Sequence, residues 1–595
     1  MTLLPRLILP PLAAGSLGVA GGAAALNVLE ARVERATLFT AGVQVLVAGD
    51  TNGNATAGVR LRAANSGTWR AGPPLFRVEA RTQPPGVDVP DQLAGSVFDL
   101  EPGREYELEL RFRDPDGPVD ERRIVPVRTR PLPRRDPLAA RLRRATTVAE
   151  LRAAAAEARA GEVILLARGT YTLDTLTLRG SGTAENPIIL RGEARDEVVF
   201  DGGGTAGNVI EAHGSHLHLE DFTVRNAYRG IRLFGASNNV VRRVRLTDVT
   251  HGIAAGAGPQ LDFLLADNVV EGRRRWPWVF AAAASAVWAE RGISVTGHGH
   301  VVCHTFIRGF GDALLTLHGR ARACDFHGND IHDCHDGVEL DRGEGNVRCF
   351  GNRWVNVASA ISLQPVVGGP VYVLRNGVIN AVHDQLKYKQ TGTEPSGALA
   401  HHNTFVSARR ALDLQTPVTT HHFRIVNNLF LGPPAPEAGS SVEWTAGVRA
   451  GEFDHNGYFP DGRFWFGTVA GRRRVFEHFA AVRQAGEVER HGVLLSASPL
   501  ASGALGTPDG RRAAPPGTFA LRPDSEAVDR GVLLPGLNDR HAGAAPDLGA
   551  HELGAEEPWY GPRPEGREHL TNLVNAPPAA DGGRTSRRGV TRLPR

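Results

Sequence analysis

One phrase recurs along the middle of this chain and limits what it can fold into. It reads NDIHDCHDGVEL from Asn329 to Leu340, NRWVNVASAISL from Asn352 to Leu363, and NTFVSARRALDL from Asn403 to Leu414. Looser copies open at Asn376 and Asn428, so the five Asn anchors stand 23, 24, 27 and 25 residues apart. Weaker copies at Asn226, Asp248, Asn268 and His304 extend the pattern backwards. A fixed period without helical periodicity, built of short apolar runs punctuated by Gly, Asn and Asp, marks a solenoid of short strands. A leucine-rich repeat of the same length would show L-x-x-L-x-L-x-x-N, which is absent. The remaining solution is an all-β, right-handed parallel β-helix, the hand that parallel crossovers adopt. Asn at one position per coil predicts an internal ladder, each amide bonding the turn backbone of the adjacent coil.

Composition narrows the functional classes. Lys+Arg 67 against Asp+Glu 64 leaves a formal charge of +3 over 595 residues, too little for a nucleic-acid field. Gly 70 and Pro 39 suit a turn-rich β protein. None of the four cysteines is spaced C-x-x-C, which argues against zinc. Cys324 and Cys349, one coil apart, are expected to stack as small buried residues, with a disulfide as the other possibility. Residues 1–28 carry one Arg followed by an apolar, Ala- and Gly-rich run, the pattern of an export signal. The expectation is a secreted, periplasmic or cell-surface monomer without stable membrane insertion.

Residues 29–130 contain Thr68-Trp69 and SVFDLEPGREYELELRFRDPDG, from Ser96 to Gly117. Leu100, Pro102, Gly103 and Tyr106 resemble the corner of a fibronectin type III β-sandwich, where the Tyr bonds back to the backbone. A linker, RTRPLPRRDP, leads to the β-helix, placed at 138–555. TTVAELRAAAAEARAGE opens it with a capping box, Thr147 and Glu150, and predicts a helix over the open end of the solenoid. EVILLARGTYTLDTLTL, GTAENPIILRG and VVFDGGG then resemble the first coils of bacterial β-helix polysaccharide lyases of the chondroitinase B and alginate lyase type, a pectate lyase-like fold. Leu521 to Gly554 resembles a closing segment in which Asp529, Asp539, Asp547 and Glu552 are read as turn-stabilising rather than cation-binding. Residues 556–595, rich in Pro, Arg and Gly, are expected to be disordered.

Aligned coils convert the sequence into a surface, because alternate strand residues point outward. Glu339, Ser362, Lys387 and Asp413 form one outward row, with Asp341, Gln364, Lys389 and Gln415 beside it. His335, Asp336, Tyr372, Arg375, His401 and His402 flank them. This mixed-charge strip suits an acidic polysaccharide. In β-elimination a uronate carboxylate is neutralised by Ca²⁺ or a basic side chain, a base removes the C5 proton, and an acid protonates the leaving oxygen. Asp336, Glu339 and Asp341 are the candidate Ca²⁺ ligands. Lys387 or Lys389 is the candidate base if its pKa is lowered, across a gap of roughly 10 Å. Tyr372, Arg375 and His402 are candidate proton donors, and Gln364, Asp413, His335 and His401 candidate sugar contacts. CHDGVELDRGEGNVRCFGN loosely resembles the metal-bearing coil of the same lyases, but Asp341-Arg342-Gly343 stands where that family has a catalytic Lys. Two alternatives stay open. One is an inverting glycosidase using Asp336, Glu339 and Asp341, with GHGH (Gly297 to His300) resembling part of a polygalacturonase pattern. The other is a non-catalytic glycan-binding scaffold.

Overall fold

The computed structural model describes residues 24–576, apart from 84–86, 118–119, 205–206, 282–288, 318–320, 365, 367, 389–395, 411, 415–419, 434–439, 445–447, 470–471 and 505–509. The segment read as an export signal lies outside the described residues up to position 23, as do Lys389 and Gln415.

The chain begins with seven antiparallel strands in the order Asn27–Val33, Ala41–Ala48, Gln92–Val97, Arg70–Val78, Thr56–Ala63, Glu105–Arg113 and Asp120–Arg128. Their alternating Val and Leu side chains close a separate core around Val45, Leu61, Leu108 and Phe112. The Tyr106 hydroxyl accepts the Glu101 N–H at 2.8 Å, the back-bond expected at that corner.

The helix Val148–Glu157 begins on the capping box: Thr147 accepts the Glu150 N–H, and the Glu150 carboxylate reaches back to the Thr147 N–H. Leu151, Ala154 and Ala155 cover the first coils and join the solenoid core. One parallel sheet of thirteen strands then runs from Arg141–Ala145 to Val448–Asp454. The second large sheet receives two strand segments per coil, which in several coils fuse into one bent strand such as Asp330–Glu339, Arg353–Leu363 or Gly377–Tyr388. The bends fall at Asn226, Asp248, Asp333, Asn356 and Asn380, all with φ between 53° and 61°, a left-handed conformation that Asn and Asp tolerate. Asn226 and Asp248 are therefore bend residues and not ladder members.

The ladder itself forms as expected. Asn352 Oδ1 accepts the Asn329 N–H at 3.0 Å, and Asn352 Nδ2 donates to the Phe326 carbonyl at 2.9 Å. Asn376, Asn403 and Asn428 repeat the pattern, and Asn456 extends it. The column ends on Glu489, whose carboxylate accepts from Asn456 Nδ2 at 2.7 Å and from the Tyr458 hydroxyl at 2.6 Å. Towards the N-terminus Asn268 holds the same position, and Thr305, not His304, fills the step between it and Asn329.

Three local expectations change. All four cysteines are buried and free, and Cys349 pairs in register with Phe326, two positions away from Cys324, so the two sulfurs do not stack. His300 in GHGH is fully buried, with the Phe263 N–H donating to its Nδ1, and serves the core. Residues 556–576, expected to be disordered, run as a packed strap. Arg563 forms a buried pair with Asp267 at 2.8 Å, and the Val574 and Asn575 N–H groups donate to Asp99. The strap is held by these charge-assisted bonds and by Val574, packed among Phe98, Phe350 and Leu534; a single apolar anchor leaves little trace in composition. The closing-segment carboxylates do bind turn amides: Asp529 accepts from Ala544, Asp547 from Leu553, and Glu552 from Ala542.

The antiparallel module is bolted to the thirteen-stranded sheet. Asp325, with no exposed side-chain surface, pairs with equally buried Arg348 and accepts from Thr37 and Thr40 of the module. The Tyr372 hydroxyl accepts the Ser96 N–H at 2.8 Å. A cavity of about 250 Å³ lies on this side, among Phe39, Leu132, Arg243, Asp267, Cys303 and Arg563.

Candidate active site on the second sheet

The site is assembled by coil register. Glu339, Ser362, Lys387 and Asp413 stand in one row across successive coils, as the repeat predicts, and Leu315 continues it one coil earlier. A second row runs His251, Arg291, Asp312, Asp336, Ser359 and Asp384. Gly337 lets the next coil close in, because a Cβ there would come within 2.4 Å of the Trp354 indole.

Lys387 Nζ donates to Asp336 Oδ2 at 3.0 Å, reaching back across a coil that offers only Ser359 and Ser362 at those positions. The gap of about 10 Å expected between lysine and carboxylates is thus closed by the lysine itself, since two serines are too short to hold it off. On the other side of Asp336, His335 Nδ1 lies 3.2 Å from Oδ1. Burial opposes ionisation of Asp336, but His335 and Lys387 outweigh it and hold its carboxyl well below the usual range. Burial also opposes the charge on Lys387, yet Asp336, Asp341 and Glu339 raise its pKa above the ordinary value. The lowered pKa that a lysine base requires is therefore absent: its counter-ion is in contact.

The acidic cluster differs by one member from the sequence reading. Asp312, Asp336 and Glu339 bring ligand oxygens within 4.8 Å of one another. Asp341 lies alongside but is engaged elsewhere, accepting from the Ser362 hydroxyl and the Gln364 N–H, both at 2.9 Å. Burial and the neighbouring carboxylates push Glu339 up to about 9 and Asp312 up to about 7, and burial takes Asp341 to about 6. Crowded oxygen ligands of this kind fit a hard divalent cation, which relieves the repulsion that otherwise forces protons onto them. Asp312 escaped the sequence reading because its coil opens on Thr305 rather than Asn. Aligning GDALLT with HDGVEL would have found it.

Other side chains complete the strip. His383 lies 6.1 Å from His335, centroid to centroid, and burial keeps its pKa below the usual value. Trp278 flanks His335 at 6.4 Å, fixed by its indole N–H on the Asp333 carbonyl. Arg410 spans Asp384 and Glu443. Towards the N-terminus Arg229 lies over the exposed Tyr228 ring at 4.6 Å and Arg232 over Phe234 at 4.9 Å. Burial, with Arg229 and Arg291 adjoining, lowers His251 to about 4.

Four predicted members are not on this strip. Tyr372 and His401 belong to the thirteen-stranded sheet. Tyr372 is sealed under the module, and burial raises its pKa well above the ordinary phenol value, out of the useful range for a proton donor. Arg375 is buried, donating to the backbone carbonyls of Ala550 and Val574. His402 is fixed between Asn427 and Asn538. Their coil positions are real, but those positions turn away from the second sheet. Asp413 occupies its expected row by backbone register.

No curated protein sequence matches the chain. Among solved structures, the pectate lyase Pel9A aligns at 15% identity over 67% of this chain and 90% of its own, with a TM-score of 0.36. A family 28 exopolygalacturonase from Yersinia enterocolitica aligns at 10% identity over 74% and 98%, TM-score 0.41. A mannuronic acid-specific family 6 polysaccharide lyase from human gut microbiota aligns at 14% identity over 62% and 92%, TM-score 0.38. The chondroitinase B family model matches residues 145–250, the capping helix and the first coils, and over that span the chain resembles the chondroitinase B polysaccharide lyases.

Proposed function

We propose that this chain acts outside the cytoplasm on an acidic, uronate-containing polysaccharide and cleaves it by β-elimination on the strip of the second sheet. The observation that carries the reading is the Asp312–Asp336–Glu339 cluster facing Lys387, continued along the same face by Arg291, His251, Arg229 and Arg232. A bound Ca²⁺, held by Asp312, Asp336 and Glu339, would neutralise the uronate carboxylate and acidify its C5–H. Lys387, kept protonated by Asp336, supplies positive charge and a proton for the leaving oxygen. His383, kept neutral by burial, is the group suited to take the C5 proton, with His335 beside it. The arginines over Tyr228 and Phe234 offer cationic and ring surfaces to further uronates. An inverting hydrolase needs its two carboxyls roughly 6.5–9.5 Å apart to admit water, which the crowding of these three ligand sets does not favour. No helix among the described residues is long and apolar enough to cross a membrane.

The test is a panel of uronate polymers incubated with purified protein, with and without Ca²⁺. Ultraviolet absorbance of an unsaturated product supports the lyase. New reducing ends without it indicate hydrolysis, and retained binding without either indicates a scaffold; both outcomes overturn the reading.

A further inference from the structure

The geometry points to a transition-metal site at the C-terminal end of the solenoid, formed by Asp454, His455 and His491 and suited to Zn²⁺ rather than Ca²⁺. Asp454 closes the last strand of the thirteen-stranded sheet, Val448–Asp454, and His455 follows it in a left-handed turn at φ 58°. His491 comes from the loop after the helix Phe479–Ala485, whose Phe479 and Val482 cap the core. The carboxylate is held in place before any ligand arrives. Its Oδ1 accepts the N–H groups of His455 at 2.8 Å and His491 at 2.7 Å, which leaves Oδ2 directed between the two imidazoles. Oδ2 lies 2.7 Å from His491 Nδ1 and 4.0 Å from His455 Nε2. The rings are stacked, 4.6 Å apart and 8° from parallel. One ring nitrogen from each histidine and one carboxylate oxygen lie within 4.8 Å of one another.

Two imidazoles and one carboxylate form a borderline-soft donor set, which selects Zn²⁺ and its first-row neighbours, whereas the all-oxygen cluster on the strip selects Ca²⁺. Zn–N and Zn–O distances of about 2.0–2.2 Å require the His491 ring to turn out of the stack, so that the in-plane lone pairs of both rings meet at one ion beside Oδ2. Its side chain is 64% exposed and free to make that movement. The ion takes the place of the Asp454–His491 hydrogen bond, with the His491 ring proton carried on Nε2. Three protein ligands leave a fourth position for water. The ion would tie the cap loop to the last coil.

Calorimetry of the untagged full chain with Zn²⁺ tests this, with Co²⁺ as the spectroscopic probe. The expected result is one bound ion, a tetrahedral Co²⁺ spectrum and a higher melting temperature. His491→Ala, an exposed change that leaves the fold intact, should weaken binding at least tenfold, as should Asp454→Asn, while Glu339→Gln should leave it unchanged. Absence of Zn²⁺ binding, or binding indifferent to His491→Ala, would overturn the assignment; loss in Glu339→Gln alone would move the ion to the strip.

Discussion

Lys387 and Asp336, 51 residues apart in sequence, are bonded at 3.0 Å because the coil between them presents serine where it could have presented a barrier. The pair keeps 12% and 10% of its side-chain surface exposed, and His335, which adjoins Asp336, is itself flanked by Trp278 and His383. If the strip is a lyase site, Lys387→Ala should lower turnover by about a hundredfold, the scale of a lost proton-transfer group. Lys387→Arg should recover part of the loss by restoring the charge. Steady-state rates on the best polymer of the panel check this; near-normal turnover in Lys387→Ala would remove lysine from the chemistry.

The ladder makes a stability prediction. Asn352→Ala leaves the Asn329 N–H and the Phe326 carbonyl without their partners inside the turn column. The expected cost is roughly 1–3 kcal/mol, read as a lower urea midpoint with an unchanged m-value. An equal loss from a surface Asn, such as Asn52→Ala, would show that no ladder energy is involved.

Acid should unfold the protein early. His300, His327, His401 and His551 are all held at about 3 by burial. Each is neutral in the fold but protonates near 6.5 once unfolded. The unfolded state therefore binds more protons below that value, and stability is complete above pH 6.5 and declines as pH falls towards 3. Each histidine contributes a slope of up to about 1.4 kcal/mol per pH unit in that window. Urea titrations at several pH values measure the slope. His300→Gln should take up one proton fewer on unfolding at pH 5.

The docking of the antiparallel module is equally testable. Asp325→Ala strands the Arg348 guanidinium in a site with no exposed side-chain surface. Breaking such a pair costs about 3–5 kcal/mol. Calorimetry should show the module melting apart from the solenoid, where the unmodified protein melts as one unit.

The repeat made the solenoid legible because a parallel β-helix writes its coil length directly into the spacing of Asn anchors. The same register placed Glu339, Ser362, Lys387 and Asp413 in one row. Two kinds of information were not in the spacing. Which face a turn residue looks towards depends on where each coil bends, so Arg375 and His402 were assigned to the strip although they pack under the closing segment. Side chains that cross coils are also invisible: Lys387 reaches Asp336 only because Ser359 and Ser362 are short. Asp312 was lost with its Asn anchor, and the strap at 556–576 was hidden because charge-assisted bonds and one apolar anchor, Val574, hold it rather than a periodic apolar face.

That strap changes how the whole molecule should come apart. Solenoids are quasi-one-dimensional: each coil contacts only its neighbours, so they fray from either end. Here Arg563 is fastened to Asp267 in the middle of the stack, and Val574 and Asn575 to Asp99 in the antiparallel module, 475 and 476 residues away in sequence. The strap thus fastens the antiparallel module to coils in the middle of the stack, and closes an open column into a ring of contacts. Fraying at the N-terminal end must break this closure first, so early and middle coils share one cooperative fate.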